Sequence, residues 1–88
     1  MLSSTPIPWL LSRVVRELRK RSVTIAGHRT SISLEPEFWA VLEDLAAARG
    51  ESLAGLITEI DLARGERNLA SACRLAALAH LKSQILGD

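Results

Sequence analysis

Arg29, Ser31 and Ser33 stand at every second position, with Thr30, Ile32 and Leu34 between and after them. In a strand, that spacing sends the first three side chains to one face and the others to the opposite face. One face then offers a guanidinium and two hydroxyls, groups that can bond to base edges. The other offers apolar surface to a core. Upstream, Arg16, Arg19, Lys20 and Arg21 form a basic tract whose chemistry is phosphate neutralisation. Downstream, Ser52 follows Arg49-Gly50-Glu51 and precedes an apolar run, the pattern of a helix N-cap. The first N–H groups of such a helix lack intrahelical partners and suit an anion.

Other reactive residue types are poorly placed. Cys73 is the single cysteine and His28 and His80 are the two histidines, and their separation forms no zinc-ligand spacing. No metal and no cofactor are expected. Cys73 reads as a small core residue. Glu43 and Asp44 are adjacent, so a helix would splay them apart rather than let them share a proton. The chain contains no G-x-S-x-G, H-E-x-x-H or P-loop pattern, and no enzyme is expected.

Charge is unevenly spread. Residues 1–34 carry six Lys and Arg against one acid, whereas residues 35–88 carry five against nine. A basic first third beside an acidic body implies one face for a polyanion. A lone cysteine fits a reducing, cytoplasmic setting. No apolar run approaches the roughly 20 residues of a membrane helix. The opening MLSSTPIPWLLS lacks the basic start of a secretory leader. Membrane-surface association through Trp9, Leu10 and Leu11 ranks last among the readings, and no membrane partner is expected.

The elements that must position these residues follow from periodicity. Residues 8–20 predict a basic amphipathic helix, with Pro8 in its first turn. Residues 22–34 are rich in β-branched residues and predict strand, interrupted at Gly27. Whether they form one strand or a hairpin about Gly27 stays open. Glu35-Pro36-Glu37 starts a helix with an apolar stripe of Phe38, Val41, Leu42, Leu45 and Ala46. Phe38 fits the core register, leaving Trp39 at a seam or over the last helix. Gly50 ends this helix, Ser52 starts the next, and Asn68 caps a third that runs to about Ile85. That third helix is apolar nearly all round, so most of it is expected to be buried. Asp61, Arg64, Arg67, Asn68 and Arg74 read as an ion-pair network holding its start.

A single strand followed by helices leaves two open edges. The cheapest partner is the same strand of a second chain about a two-fold axis. The apolar fraction of 48% also favours a core shared by a homodimer. A two-stranded ribbon fits the DNA major groove.

The string RTSISLEPEFWAVLEDLAAARGESLAGLITEI resembles the ribbon-helix-helix fold: strand, helix, glycine turn, serine-started helix. More narrowly, KRSVTIAGHRTSISLEPEFW and NLASACRL resemble a group of small bacterial ribbon-helix-helix domain proteins. The resemblance covers about residues 20–82. It implies double-stranded DNA binding by a homodimer and a role in transcription regulation. Arg29, Ser31 and Ser33 match the family's reading face, and Ser52 and Leu53 its phosphate clamp. Two serines replace the longer polar residues frequent at that face, so Arg29 is expected to carry most direct readout.

The expected fold is mainly α with one short β-ribbon: a ribbon-helix-helix with its strand paired across a homodimer, plus an N-terminal helix and an extra C-terminal helix. Residues 1–21 are expected to form the extension and residues 22–88 the domain. The competing reading is a protein-interaction module, antitoxin-like, gripping a protein partner through a terminal helix. Antitoxins of this fold usually carry a partner-wrapping tail, and only Leu-Gly-Asp follows Ile85.

Overall fold

A computed structural model describes residues 17–87. The order is β1 (Arg19–Ile25), β2 (His28–Leu34), α1 (Pro36–Ala48), α2 (Leu53–Ala63) and α3 (Leu69–Ile85). The expected N-terminal helix falls mainly on residues 8–16, outside the described part. Its expected last turn does not exist as helix, because Arg19 and Lys20 already belong to β1.

The strands form one antiparallel hairpin, with Arg19 opposite Leu34 and Ile25 opposite His28. β2 finds a partner within its own chain, which decides the open choice between one strand and a hairpin about Gly27 in favour of the hairpin. The two-residue loop is Ala26-Gly27, with φ of +52° and +85°. Two positive φ angles in succession make the twist-matched turn that closes tight hairpins. Glycine adopts this freely, while Ala26 does so against the clash of its Cβ.

The helices start and stop where local chemistry dictates. Pro36 occupies the first turn of α1. At its end, Gly50 takes φ +69°, and the Gly50 and Glu51 N–H groups donate to the carbonyls of Ala47 and Ala46 at 3.0 Å each. That reciprocal pair satisfies the last carbonyls and turns the chain directly into Ser52. Ser52 Oγ accepts from Gly55 N–H at 3.0 Å, and Asn68 Oδ1 from Ser71 N–H at 2.8 Å. Both expected caps are present.

One core lies between the inner face of the hairpin and the three helices. Leu34, Leu42, Ile57, Cys73 and Ala77 are fully buried there, beside Ile25, Ile32 and Trp39. α2 packs against β1, and α3 packs against β2 and α1. Trp39, not Phe38, is the large buried aromatic of α1, and Phe38 is half-buried. The rest of the expected stripe holds, with Leu42 and Ala46 buried and Val41 and Leu45 packed against the core, and Trp39 joins it beneath the start of β1. α3 also departs from expectation. Only Ala72, Cys73 and Ala77 of its residues are buried, whereas Leu75, Leu78, Leu81 and Ile85 are exposed. No described helix is long and apolar enough to cross a membrane.

Candidate nucleic-acid interface

Cross-strand partners in an antiparallel pair share a face. Lys20 pairs with Ser33, Ser22 with Ser31, and Thr24 with Arg29. The pairs between them carry the buried Ile25, Ile32 and Leu34, so these six residues form the face turned away from the core. All are exposed except the half-buried Ser33. The face holds two cations and four hydroxyls, and none of its residues is acidic. Arg29, Ser31 and Ser33 are thus brought together as the alternation predicts. Lys20, Ser22 and Thr24 complete the surface, and the last two were missed as face residues. The alternating run Ser22-Val23-Thr24-Ile25 was their signal in the sequence.

The described part of the basic tract lies on β1. Strand alternation splits it. Lys20 joins the outer face, while Arg19 and Arg21 fall on the inner side, where they run past the core onto α1. Arg21 stacks on the Trp39 ring at 4.8 Å from its centroid and pairs with Glu43 at 2.8 Å. The Trp39 Nε1–H donates to the Arg19 carbonyl at 2.9 Å. A buried indole with a satisfied N–H therefore pins the start of β1, and Arg21 covers it by a cation–π contact. Arg16 lies outside the described residues.

Ser52 and Leu53 stand at the start of α2, as expected of a clamp. The N–H groups of its first turn have no carbonyl one turn back to reach. Glu51 complicates the site. Its carboxylate pairs with Arg49 at 2.8 Å, and Arg49 also reaches Glu59 at 2.6 Å. The ion pairs with Glu51 and Glu59 raise the Arg49 pKa above its ordinary value. Yet Glu51 leans over the same helix start: a Cβ placed on Gly55 would sit 3.4 Å from Glu51 Oε1 and 3.2 Å from Ser52 Oγ. Gly55 leaves room for both groups.

The expected network at the start of α3 forms in part. Arg64 bonds Asp61 at 2.7 Å and the Arg67 carbonyl at 2.7 Å. Arg74 leaves this group. It pairs with Glu35 at 3.0 Å and stacks on Phe38 at 5.8 Å, tying α3 to the end of β2. Burial pushes the Glu35 carboxyl up, but its own backbone N–H and Arg74 outweigh this and hold it below 4.5. Burial raises the Cys73 thiol to about 11, so it stays protonated and a poor nucleophile near neutral pH.

A family model described as a ribbon-helix-helix domain matches residues 18–81. The chain belongs to the ribbon-helix-helix family. Domains of this family are typically DNA-binding modules of transcription regulators. Among solved structures, the chain is similar to an uncharacterized protein from Bordetella pertussis Tohama I, at 30% identity and a TM-score of 0.75. That match covers 96% of this chain and 74% of the other. A search of curated proteins finds no match. The family match begins at residue 18, one residue before β1, so the hairpin's first strand belongs to the ribbon-helix-helix unit.

Proposed function

We propose that this chain is a cytoplasmic, non-enzymatic regulator that binds double-stranded DNA as a homodimer, with the outer face of its hairpin in the major groove. The observation that carries this reading is the acid-free face of Lys20, Ser22, Thr24, Arg29, Ser31 and Ser33 on a ribbon two strands wide. The major groove, about 12 Å across, admits such a ribbon. Arg29 can bond bidentately to guanine. The serine and threonine hydroxyls contact either base type, and Lys20 neutralises backbone charge. Ser52 and Leu53 present the start of α2 to a flanking phosphate, beside a Glu51 carboxylate whose charge is paired with Arg49.

The test is a titration of the full chain on genomic DNA fragments at several salt concentrations. Log K should fall linearly with log salt, with a slope of about −0.9 per phosphate contact. An interaction that is absent, or insensitive to salt, overturns the reading.

A further inference from the structure

The side of α3 turned away from the core carries large apolar residues. Leu75 is 44% exposed, Leu78 50% and Ile85 81%, with Leu81 exposed between them. Their spacing of three and four residues sets them in one stripe, opposite the buried Cys73 and Ala77. The stripe runs for about 15 Å from Leu75 to Ile85. A connected apolar row of this kind marks an interaction surface.

Cations are set into this row. Lys82 stands four residues after Leu78 and three before Ile85, so it lies within the stripe. At its N-terminal end the stripe runs into an open groove of about 350 Å³ between α2 and α3. Ile60, Ala63 and Leu75 line that groove together with Arg64 and Arg67. Arg64 is held by the Asp61 carboxylate at 2.7 Å and by the Arg67 carbonyl at 2.7 Å. Arg67 and Lys82 enter no side-chain ion pair among the described residues. From Arg67 to Gly87 the chain carries Arg67, Arg74 and Lys82 and no Asp or Glu. Of the acids just upstream, Asp61 is paired with Arg64, and Glu66 does not line the groove.

A partner for this surface has to bring apolar side chains and negative charge together. DNA brings the charge without the apolar groups. The chain's own residues 1–16 carry Arg13 and Arg16 and no acid, and a second copy of α3 would bring the same cations, so like charges meet in both cases. A flat lipid surface does not enter a groove. A helix does: its side chains recur at the same three- and four-residue spacing and seat in a row of this length.

We infer that α3 and its groove dock an amphipathic helix of another protein, apolar along one face and flanked by carboxylates. The apolar face lies on Leu75, Leu78 and Ile85, and the carboxylates meet Arg67 in the groove and Lys82 further along. The stripe is on the side of α3 opposite the one packed on β2 and α1, so the docked helix leaves the outer face of the ribbon uncovered. This inference does not rest on the DNA-binding reading.

The probe is a synthetic peptide of about 18 residues, or about five helical turns, with leucines at three- and four-residue spacing and glutamates between them. A second peptide has lysine in place of every glutamate. Each is titrated into the full chain and followed by calorimetry and by amide shifts. The glutamate peptide should bind at least about 10-fold more tightly than the lysine peptide, with shifts at Ala63, Leu75, Leu78 and Ile85. Arg67→Glu with Lys82→Glu should reverse that preference, and Leu78→Glu should weaken the glutamate peptide, with circular dichroism unchanged in both. No binding, or equal binding of the two peptides, overturns the proposal. So does a preference that Arg29→Ala abolishes and the Arg67, Lys82 variant keeps, which would place the peptide on the ribbon. Sedimentation of Leu78→Glu should match the wild type; a dimer lost in that variant would mean that a second copy covers the stripe, and would overturn the proposal. Cosedimentation with phosphatidylglycerol vesicles that Leu78→Glu abolishes would assign the stripe to a membrane and overturn it as well.

Discussion

The outer face of the hairpin and the outer face of α3 are both turned away from the same core, and their chemistry is opposite. The first is cationic and hydroxylated. The second is a row of leucines ending in an isoleucine. Alternation at period two explains the ribbon: every second residue serves the core and the rest are free for another task. α3 has no such division: alanine and leucine occur all round it, and its buried residues are the small Ala72, Cys73 and Ala77, with Leu69 and Ala70 packed against the core at its start. Small residues let α3 lie close to α1 and β2, and its leucines from Leu75 onward are left outside. One surface is charged and polar, and the other is apolar.

The sharpest way to break this contrast is to remove what holds the ribbon in place. Trp39→Ala should cost about 3–5 kcal/mol, because it empties a fully packed site and leaves the Arg19 carbonyl without its donor. Denaturant unfolding should show this loss, while a surface change such as Arg29→Ala should leave unfolding almost unchanged. Equal effects from the two substitutions would mean that the ribbon's two faces are not distinct.

Next in size is the outer face itself. Arg29→Ala should cost about 1–3 kcal/mol on a preferred DNA site and flatten sequence preference. Lys20→Ala should weaken all sequences alike and make the salt slope shallower by about 0.9 for each phosphate it no longer neutralises. Arg21→Ala should do neither to a comparable degree, because its guanidinium is committed to Glu43 and Trp39.

The start of α2 should respond more weakly. Ser52→Ala removes the cap on Gly55 and should cost about 0.5–2 kcal/mol of stability, measurable by thermal unfolding. Glu51→Gln should leave DNA affinity unchanged or raise it. A clear fall would show that phosphate is not held there.

The smallest expected effect is in acid. The Glu35 carboxyl sits below its ordinary value of 4.5. Its contribution to stability is therefore full above that value and lost as pH falls through the lowered folded-state value. Glu35→Gln should flatten the acid limb of a stability–pH curve and leave stability near neutral pH little changed in its pH dependence. An unaltered acid limb would mean that the link between α3 and the end of β2 is not electrostatic.

Much of this arrangement was legible before any coordinates. The alternation of Arg29 to Leu34 placed both faces of β2, and Gly50 and Ser52 marked the boundary between α1 and α2. Three features were hidden for physical reasons. Residues up to Lys20 read as helix because Leu11, Val14, Val15 and Leu18 recur at three- and four-residue spacing. In Arg19 and Lys20 the pairing with Leu34 and Ser33 overrides that pattern. The choice between one strand and a hairpin stays open in the sequence because Gly27 alone does not announce a turn that also needs Ala26 at positive φ. Trp39 was displaced from the core in favour of Phe38 because two adjacent aromatics are resolved only by what lies above them. Here that is the Arg19 carbonyl, twenty residues upstream.

The central claim is that the hairpin's outer face meets the DNA. Amide shift mapping by NMR on the full chain, titrated with a short duplex, tests it most directly. The largest changes should cluster at Lys20, Ser22, Thr24, Arg29, Ser31 and Ser33, with a smaller set at Ser52 and Leu53. Val23, Ile32 and the middle of α1 should move little. Changes confined to α3, with the six ribbon residues still, would contradict the account.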